Sequence, residues 1–369
     1  MHRLIYRAGV WLALVLVALA ALAGCSNTPE EPETRTQLIL GTTVTIRIYE
    51  GATDAAFERS FERVRQIEER MSTNTTDYSS TELIEVNRAA GERPVEVSED
   101  TFYVVSRALE YSRMTDGAFD VSIGPLVDLW GIGTEYAAVP PEEEIAERLE
   151  LVDYRKVRLD AEEQTIYLPE EGMGLDVGGI AKGYAAEEVA RILREEGIEH
   201  ALLDFGGNIL AIGVKPDGSR WKIGIQNPQE SRGEFLGIVE DEEMTVVTSG
   251  DYERYFEKDG VRYHHIINSR TGYPARTGLS SVTIVADDST EADTLSTAVY
   301  VMGVERGSEL IESLDGIEAA FVTKERSVYM TSGMPGSFEI THESFEVVDL
   351  EAARQDAAEA AQRPEPTSS

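Results

Sequence analysis

The chain has one cysteine in 369 residues, so it can form no internal disulfide framework and no Cys-rich zinc or iron–sulfur site. Positive charge is scarce as well. Its 33 Lys and Arg stand against 68 Asp and Glu, and the resulting formal charge of −35 excludes nucleic acid as a partner, because a phosphate polymer would be repelled. No internal repeat at solenoid periods is present. The only apolar run at the N-terminus, Val10 to Ala23, is too short and wrongly flanked for a membrane span. What the chain does have is a 42% hydrophobic fraction, enough for a large core and incompatible with a disordered polymer. The acidity fits solubility better than any particular ligand.

Arg3 and Arg7 precede the apolar run, which ends in Leu22-Ala23-Gly24-Cys25. This resembles a bacterial lipobox, in which small residues precede a Cys that is lipidated and becomes the new N-terminus. Residues 1–24 are therefore expected to be a lipoprotein signal peptide. An uncleaved anchor helix is the competing reading, and both place the rest of the chain outside the cytoplasm. Residues 25–36 are polar, carry two prolines and read as a tether. Several acyl chains on Cys25 would hold the protein at a membrane, facing the periplasm or the cell exterior.

Beyond the tether, strand and helix periodicities alternate. Val44, Ile46 and Ile48 alternate with Thr45, Arg47 and Tyr49, as in a half-buried strand, and Phe57, Phe61, Val64 and Ile67 follow helical spacing. Further helices are expected from Ser98, an N-cap, to Gly117, and over 180–196 and 289–302. Strands are expected over 201–205, 209–212, 221–225, 235–239, 244–248, 261–267 and 282–286. The fold class is thus α+β or α/β, rich in sheet, with residues 37–341 as the folded domain and 342–369 as an acidic Ala/Glu-rich tail.

Four Gly-rich clusters punctuate the middle: 131–133, 176–183, 204–208 and 248–251. In the second, Asp176-Val177-Gly178-Gly179-Ile180-Ala181-Lys182-Gly183, a strand gives way to a helix whose first N–H groups, with Lys182, could bind phosphate. It is neither G-x-G-x-x-G nor G-x-x-x-x-G-K-[ST], and tight strand–helix packing explains it equally. Asp293 and Thr297 lie four residues apart on one helical face. Carboxylate and hydroxyl are hard oxygen ligands suited to Mg²⁺, although a capping Asp beside a solvent-facing Thr would leave the same trace. His264 and His265 are adjacent on an expected strand and so face opposite sides. One of them can serve a site, as general base or as a structural donor, while the other meets solvent or core.

Seven segments in order resemble the FAD:protein FMN transferase (ApbE) family: Met71-Ser72-Thr73, Asp116 to Val127, Leu175 to Tyr184, Leu203 to Asn208, Thr248 to Tyr252, His265 to Ile267 with Thr271 to Pro274, and Ala292 to Thr297. The likeness runs from about Leu38 to about Gly336. It implies an α+β, T-fold-related architecture of mixed sheets packed with helices, with an FAD site in a cleft between subdomains. It implies an exported lipoprotein that, with Mg²⁺, moves FMN from FAD to a Thr or Ser hydroxyl of an acceptor protein and releases AMP. Typical acceptors are exported or membrane redox-pump subunits.

By motif position, Leu40, Ala118, Phe119, Asp120, Asp176, Lys182 and Ile266 would line FAD, while Gly179, Asp293 and Thr297 would hold the metal. His265 is the first candidate to accept the hydroxyl proton and Asp251 the second. The chain departs from the family's usual pattern in three places. Leu40 stands for Met before Gly41-Thr42. Asn74 stands for Tyr, with Tyr78 available as a flavin-stacking ring. Asn268-Ser269 stand for Asp-Pro. Two rival readings share these residues: an FAD pyrophosphatase that yields FMN and AMP, and a flavin-binding surface lipoprotein without chemistry.

Overall fold

The computed structural model describes residues 31–74 and 78–352, and the described residues from Glu33 onward form one compact unit. Cys25 and residues 353–369 lie outside the described residues. No described helix is long and apolar enough to cross a membrane.

In chain order the strands are β1 (Glu33–Ile39), β2 (Thr42–Ile48), β3 (Val95–Glu96), β4 (Arg158–Asp160), β5 (Thr165–Tyr167), β6 (Ala201–Phe205), β7 (Asn208–Ile212), β8 (Trp221–Gln226) and β9 (Phe235–Asp241). They continue as β10 (Met244–Gly250), β11 (Tyr255–Lys258), β12 (Val261–His264), β13 (Leu279–Ala286), β14 (Glu318–Thr323), β15 (Ser327–Met330), β16 (Phe338–Ile340) and β17 (Glu346–Val347). The α-helices are α1 (Asp54–Met71), α2 (Glu82–Arg88), α3 (Glu99–Met114), α4 (Gly124–Trp130), α5 (Glu142–Leu149), α6 (Ala181–Glu195) and α7 (Ser289–Glu312).

Nine strands form the main sheet in the order β1-β2-β6-β7-β10-β13-β14-β15-β17, and every pair is antiparallel except β15–β17. Helices α1, α6 and α7 cover one face, and the small sheet β16-β9-β8 packs on the other through Trp221, Leu236 and Val239 against Met244, Val246 and Val322. A sheet covered on both sides needs apolar or satisfied residues on both faces. Accordingly all eight residues of β13 are buried.

Local chemistry explains the helices that frame the site. Ser98 caps α3 by accepting from Thr101 N–H at 3.4 Å, as its position in the sequence predicts. Asp100 at the start of α3, Arg63 of α1 and Tyr184 of α6 form one network. Arg63 makes a two-pronged bond to the Asp100 carboxylate at 2.6 and 2.7 Å, and the Tyr184 hydroxyl donates to it at 2.7 Å. Burial pushes this carboxyl up, but the Arg63 and Tyr184 bonds outweigh it and hold it at about 2. The network pins α6 between its neighbours.

Several boundaries differ from the sequence reading. Residues 33–36 are not tether: Glu33 to Thr36 pair with Ile48 to Thr45 in the sheet. The tail does not begin at 342 either, because Phe345 and Leu350 are buried and β17 pairs with β15. The helix expected over 289–302 continues to Glu312 past a break at Gly303 (φ 79°). The strand expected over 261–267 stops at His264.

Candidate active site

One cavity of about 500 Å³ gathers most of the residues singled out by sequence: Ala118, Phe119, Asp120, Asp176, Gly179, Lys182, His265, Ile266, Asp293 and Thr297 all line it. Its volume falls within the range of small-molecule sites. The fold converges there because α6 and α7 pack against each other and against the central strands of the main sheet, α6 on β7 and α7 on β7 and β10.

At the helical end, Lys182 in the first turn of α6 points its ammonium at the Asp293 carboxylate, 2.9 and 3.1 Å from its two oxygens. Gly183 N–H donates to the same carboxylate at 3.1 Å. Thr297 stands one turn further along α7. A Cβ placed on Gly179 would lie 3.3 Å from Thr297 Oγ1 and 3.1 Å from the Phe119 ring, so these three residues meet at one point. Ser249 of β10 bonds Ser296 at 2.8 Å and ties α7 to the sheet beside the metal candidates.

Among the described residues no three His, Cys, Asp or Glu side chains converge on a point. A divalent ion would therefore need hydroxyl and carbonyl oxygens beside a carboxylate. Asp293, Thr297 and the carbonyl of Gly179, whose backbone lies against Thr297, could supply such a hard-oxygen set, and the Lys182 ammonium already rests on Asp293, a place that accepts positive charge. The residues present fit Mg²⁺.

Elsewhere in the cavity lining, Asp120 and Asp176 are held by loop amides. Ser122 gives Asp120 both its N–H at 2.9 Å and its hydroxyl at 2.6 Å, and Gly178 N–H donates to Asp176 at 2.9 Å. Burial pushes both carboxyls above their ordinary range. His265 follows β12 and is fixed by its own N–H to the Arg254 carbonyl at 3.0 Å. Its Nδ1 lies 3.3 Å from the same carbonyl, which can only accept. Nδ1 therefore carries the hydrogen, and Nε2 keeps a free lone pair. Burial, reinforced by the Arg254 guanidinium and by His264, pushes the imidazole down to about 3. His264, by contrast, is buried and bonds the Ala275 carbonyl at 2.9 Å through Nε2, so the pair does split between site and core.

Two site residues read from the sequence do not line this cavity. Leu40 and Gly41 form a two-residue hairpin turn with φ of 55° and 62°. This turn brings Leu38, Gly41 and Thr42 to the cavity and leaves the Leu40 side chain half-buried against the core. Asp251 follows Gly250 at the end of β10, and its N–H turns back to the Ser280 carbonyl at 3.0 Å. Its carboxylate is held by Arg262 at 3.4 Å and Lys324 at 3.3 Å, in a different cavity. Asp251 is therefore withdrawn as a proton acceptor. At position 268, Asn268 Oδ1 accepts from Arg270 N–H at 2.9 Å, a turn-forming role that needs no acid.

Sequence reading missed Leu38, Asn208, Arg232 and Arg254, which also line the cavity. Leu38 is 84% exposed at its mouth. Asn208 ends a Gly-rich block and was legible as part of it. The two arginines carry no local signal.

Comparisons with known proteins place the chain among relatives of known activity. A model described as the ApbE family matches residues 40–321. The FAD:protein FMN transferase of Treponema pallidum is 36% identical over 346 residues, covering 89% of this chain and 94% of that one. That of Klebsiella pneumoniae is 35% identical over 315 residues, covering 85% and 96%. Among solved structures, the ApbE protein of Thermotoga maritima has a TM-score of 0.77 at 32% identity, covering 83% of this chain and 99% of its own. The flavin transferase ApbE of Vibrio cholerae has a TM-score of 0.73 at 30% identity, covering 83% and 99%. With this extent of shared sequence and fold, the chain belongs to the ApbE family.

Proposed function

We propose that this protein transfers the FMN part of FAD to a Thr or Ser hydroxyl of an acceptor protein, with Mg²⁺, and releases AMP. The observation that carries the reading is the convergence of Lys182, Asp293, Thr297 and His265 on one cavity of about 500 Å³. FAD brings a doubly charged diphosphate to a chain with a formal charge of −35, so charge must be neutralised locally. Lys182 and the N–H groups at the start of α6 do part of this. Asp293, Thr297 and the Gly179 carbonyl would hold the Mg²⁺, which supplies Lewis-acid stabilisation of the phosphoryl oxygens when bound. The acceptor oxygen attacks the phosphorus on the flavin side. The bond from that phosphorus to the bridging oxygen breaks, and AMP departs with the bridging oxygen. His265 Nε2 takes the hydroxyl proton. Catalysis in such transfers is mostly positioning and charge stabilisation.

The acceptor is an exported or membrane redox subunit, and the enzyme works at a membrane through lipid on Cys25, in the periplasm or at the cell exterior. Support for this comes from the basic and apolar residues before Cys25 and the small residues that flank it. The test is mass spectrometry of a co-expressed exported redox subunit, which should gain the mass of FMN on one Thr or Ser. AMP release at the same rate with no acceptor present would make the protein a pyrophosphatase. Stoichiometric FAD binding with no AMP under any metal condition would make it a binder.

Replacing His265 by Ala should slow transfer by roughly 10²- to 10⁴-fold, the usual range for loss of a general base. FAD affinity, read by flavin fluorescence titration, should change far less. Equal losses in both would reassign His265 to binding. Since its pKa is pushed down to about 3, His265 stays neutral from pH 8 to pH 5. The wild-type rate should then show no acid limb near 6.5. The same depression gives a stability contribution that is full above about 6.5 and is lost as pH falls toward 3, visible as a falling urea midpoint.

A further inference from the structure

Asn208 opens β7 immediately after the Gly206-Gly207 turn, and it is 1% exposed. Its carboxamide is only half used. Oδ1 accepts from the Ser289 hydroxyl at 2.8 Å, whereas Nδ2 has no hydrogen-bond partner. A buried NH₂ group without an acceptor is costly, and folded proteins retain few of them. Among the described residues five other buried side-chain atoms share this condition, on Ser60, Thr245, His264, Thr277 and Ser281, but of these six residues only Asn208 lines the substrate cavity.

Its neighbours connect it to the charged end of the cavity. Ser289, which holds Oδ1, is the first residue of α7. Gly183 of α6 packs directly on the Ser289 carbonyl and donates its own N–H to Asp293. Ser289 and Gly183 thus link Asn208 to the Lys182–Asp293 pair, and Asn208, Lys182 and Asp293 all line the same cavity. A neutral donor in the wall of the cavity that also holds an ammonium and a hard-oxygen ligand set is matched by an anionic phosphate oxygen, which offsets the burial of the amide with a charge-assisted bond.

We propose that Asn208 is a substrate-binding residue whose Nδ2 donates to a phosphate oxygen of the dinucleotide's diphosphate. The assignment rests on the FAD reading above and adds to it a contact that does not pass through the metal. It predicts that the bond is absent from the free protein, where Nδ2 is closed to solvent, and forms only when bound substrate shifts the side chain.

The test uses the full chain at constant Mg²⁺, with FAD, ADP and riboflavin as probes. Asn208→Asp keeps an acceptor for Ser289 and replaces the donor by an oxygen. Asn208→Ala removes both ends. In both variants FAD and ADP affinity should fall roughly ten- to a hundredfold, the loss expected for a hydrogen bond to a charged group. Riboflavin, which has no phosphate, should bind as it does to the wild type. The ligand-free Asn208→Asp protein should melt below the wild type because it buries a carboxyl, and the further upward shift given by FAD should shrink. Unchanged FAD and ADP affinity would overturn the proposal, and so would parallel losses for riboflavin. If wild-type protein showed no FAD-induced shift at all, the FAD reading itself would fall.

Discussion

Asp293→Ala should reduce flavin transfer by at least about 10²- to 10³-fold, the scale of removing one preorganised charge-stabilising group from a transition state. Asp293 is the only carboxylate that Lys182 and the Gly183 N–H share, and its side chain is 4% exposed. Its removal takes the sole acid from the hard-oxygen set and frees Lys182 to move. The fold should survive, because the Lys182 side chain is 24% exposed and can turn its ammonium to solvent. Asp293→Asn, which keeps the volume and drops the charge, separates the two effects. It should show the same loss of AMP release with a near-native thermal midpoint. Normal turnover in both variants with Mg²⁺ present would detach α7 from the chemistry.

Gly183→Ala should damage stability and site together. A Cβ on Gly183 would lie 2.1 Å from the Ser289 carbonyl oxygen and 2.7 Å from the Thr290 Cα. Those are backbone atoms at the start of α7, so no side chain can swing away, and α6 and α7 must separate. Overpacking of this kind costs about 3 kcal/mol, which a urea titration would read as a lowered midpoint. The shift would also draw the Gly183 N–H from Asp293 and displace Lys182, so FAD affinity should drop in the fraction that remains folded. A midpoint within error of wild type would show that the two helices have slack at this crossing.

The sequence made parts of this molecule legible because some residues report their environment locally. Val44, Ile46 and Ile48 alternate because β2 has one deeply buried face, and Ser98 reads as a cap because capping depends on three adjacent residues. Asp293 and Thr297 share a face by helical geometry alone. Other features depend on distant chain. β1 is mostly polar (Glu33, Thr34, Arg35, Thr36, Gln37) because it is an exposed edge, and only its pairing with β2 marks it as a strand. Leu40 was read into the cavity because it neighbours the family's early Gly-Thr. The backbone turn, with two successive positive φ angles, decides that Leu38 goes there instead. Asp251 looked catalytic next to Thr248-Ser249-Gly250, yet its partners Arg262 and Lys324 come from β12 and from the chain just after β14. Nothing around Gly183 reveals that Ser289 will press on it.

The strand order of the main sheet bears on how the chain reaches its native form. Every neighbour in that sheet follows the previous one along the chain, but residues 49–200 intervene between β2 and its next partner, β6. Closing so wide a loop is entropically only modestly worse than closing a short one, yet distant pairings of this sort are the slow events of assembly. Until Ala201–Phe205 arrives, the hairpin of β1 and β2 offers an unfilled hydrogen-bonding edge on the β2 side, with Val44, Ile46 and Ile48 uncovered beside it. A chain threaded outward from its N-terminus would present this adhesive hairpin first and its complement much later, so the interval between the two is when a chaperone would have most to shield.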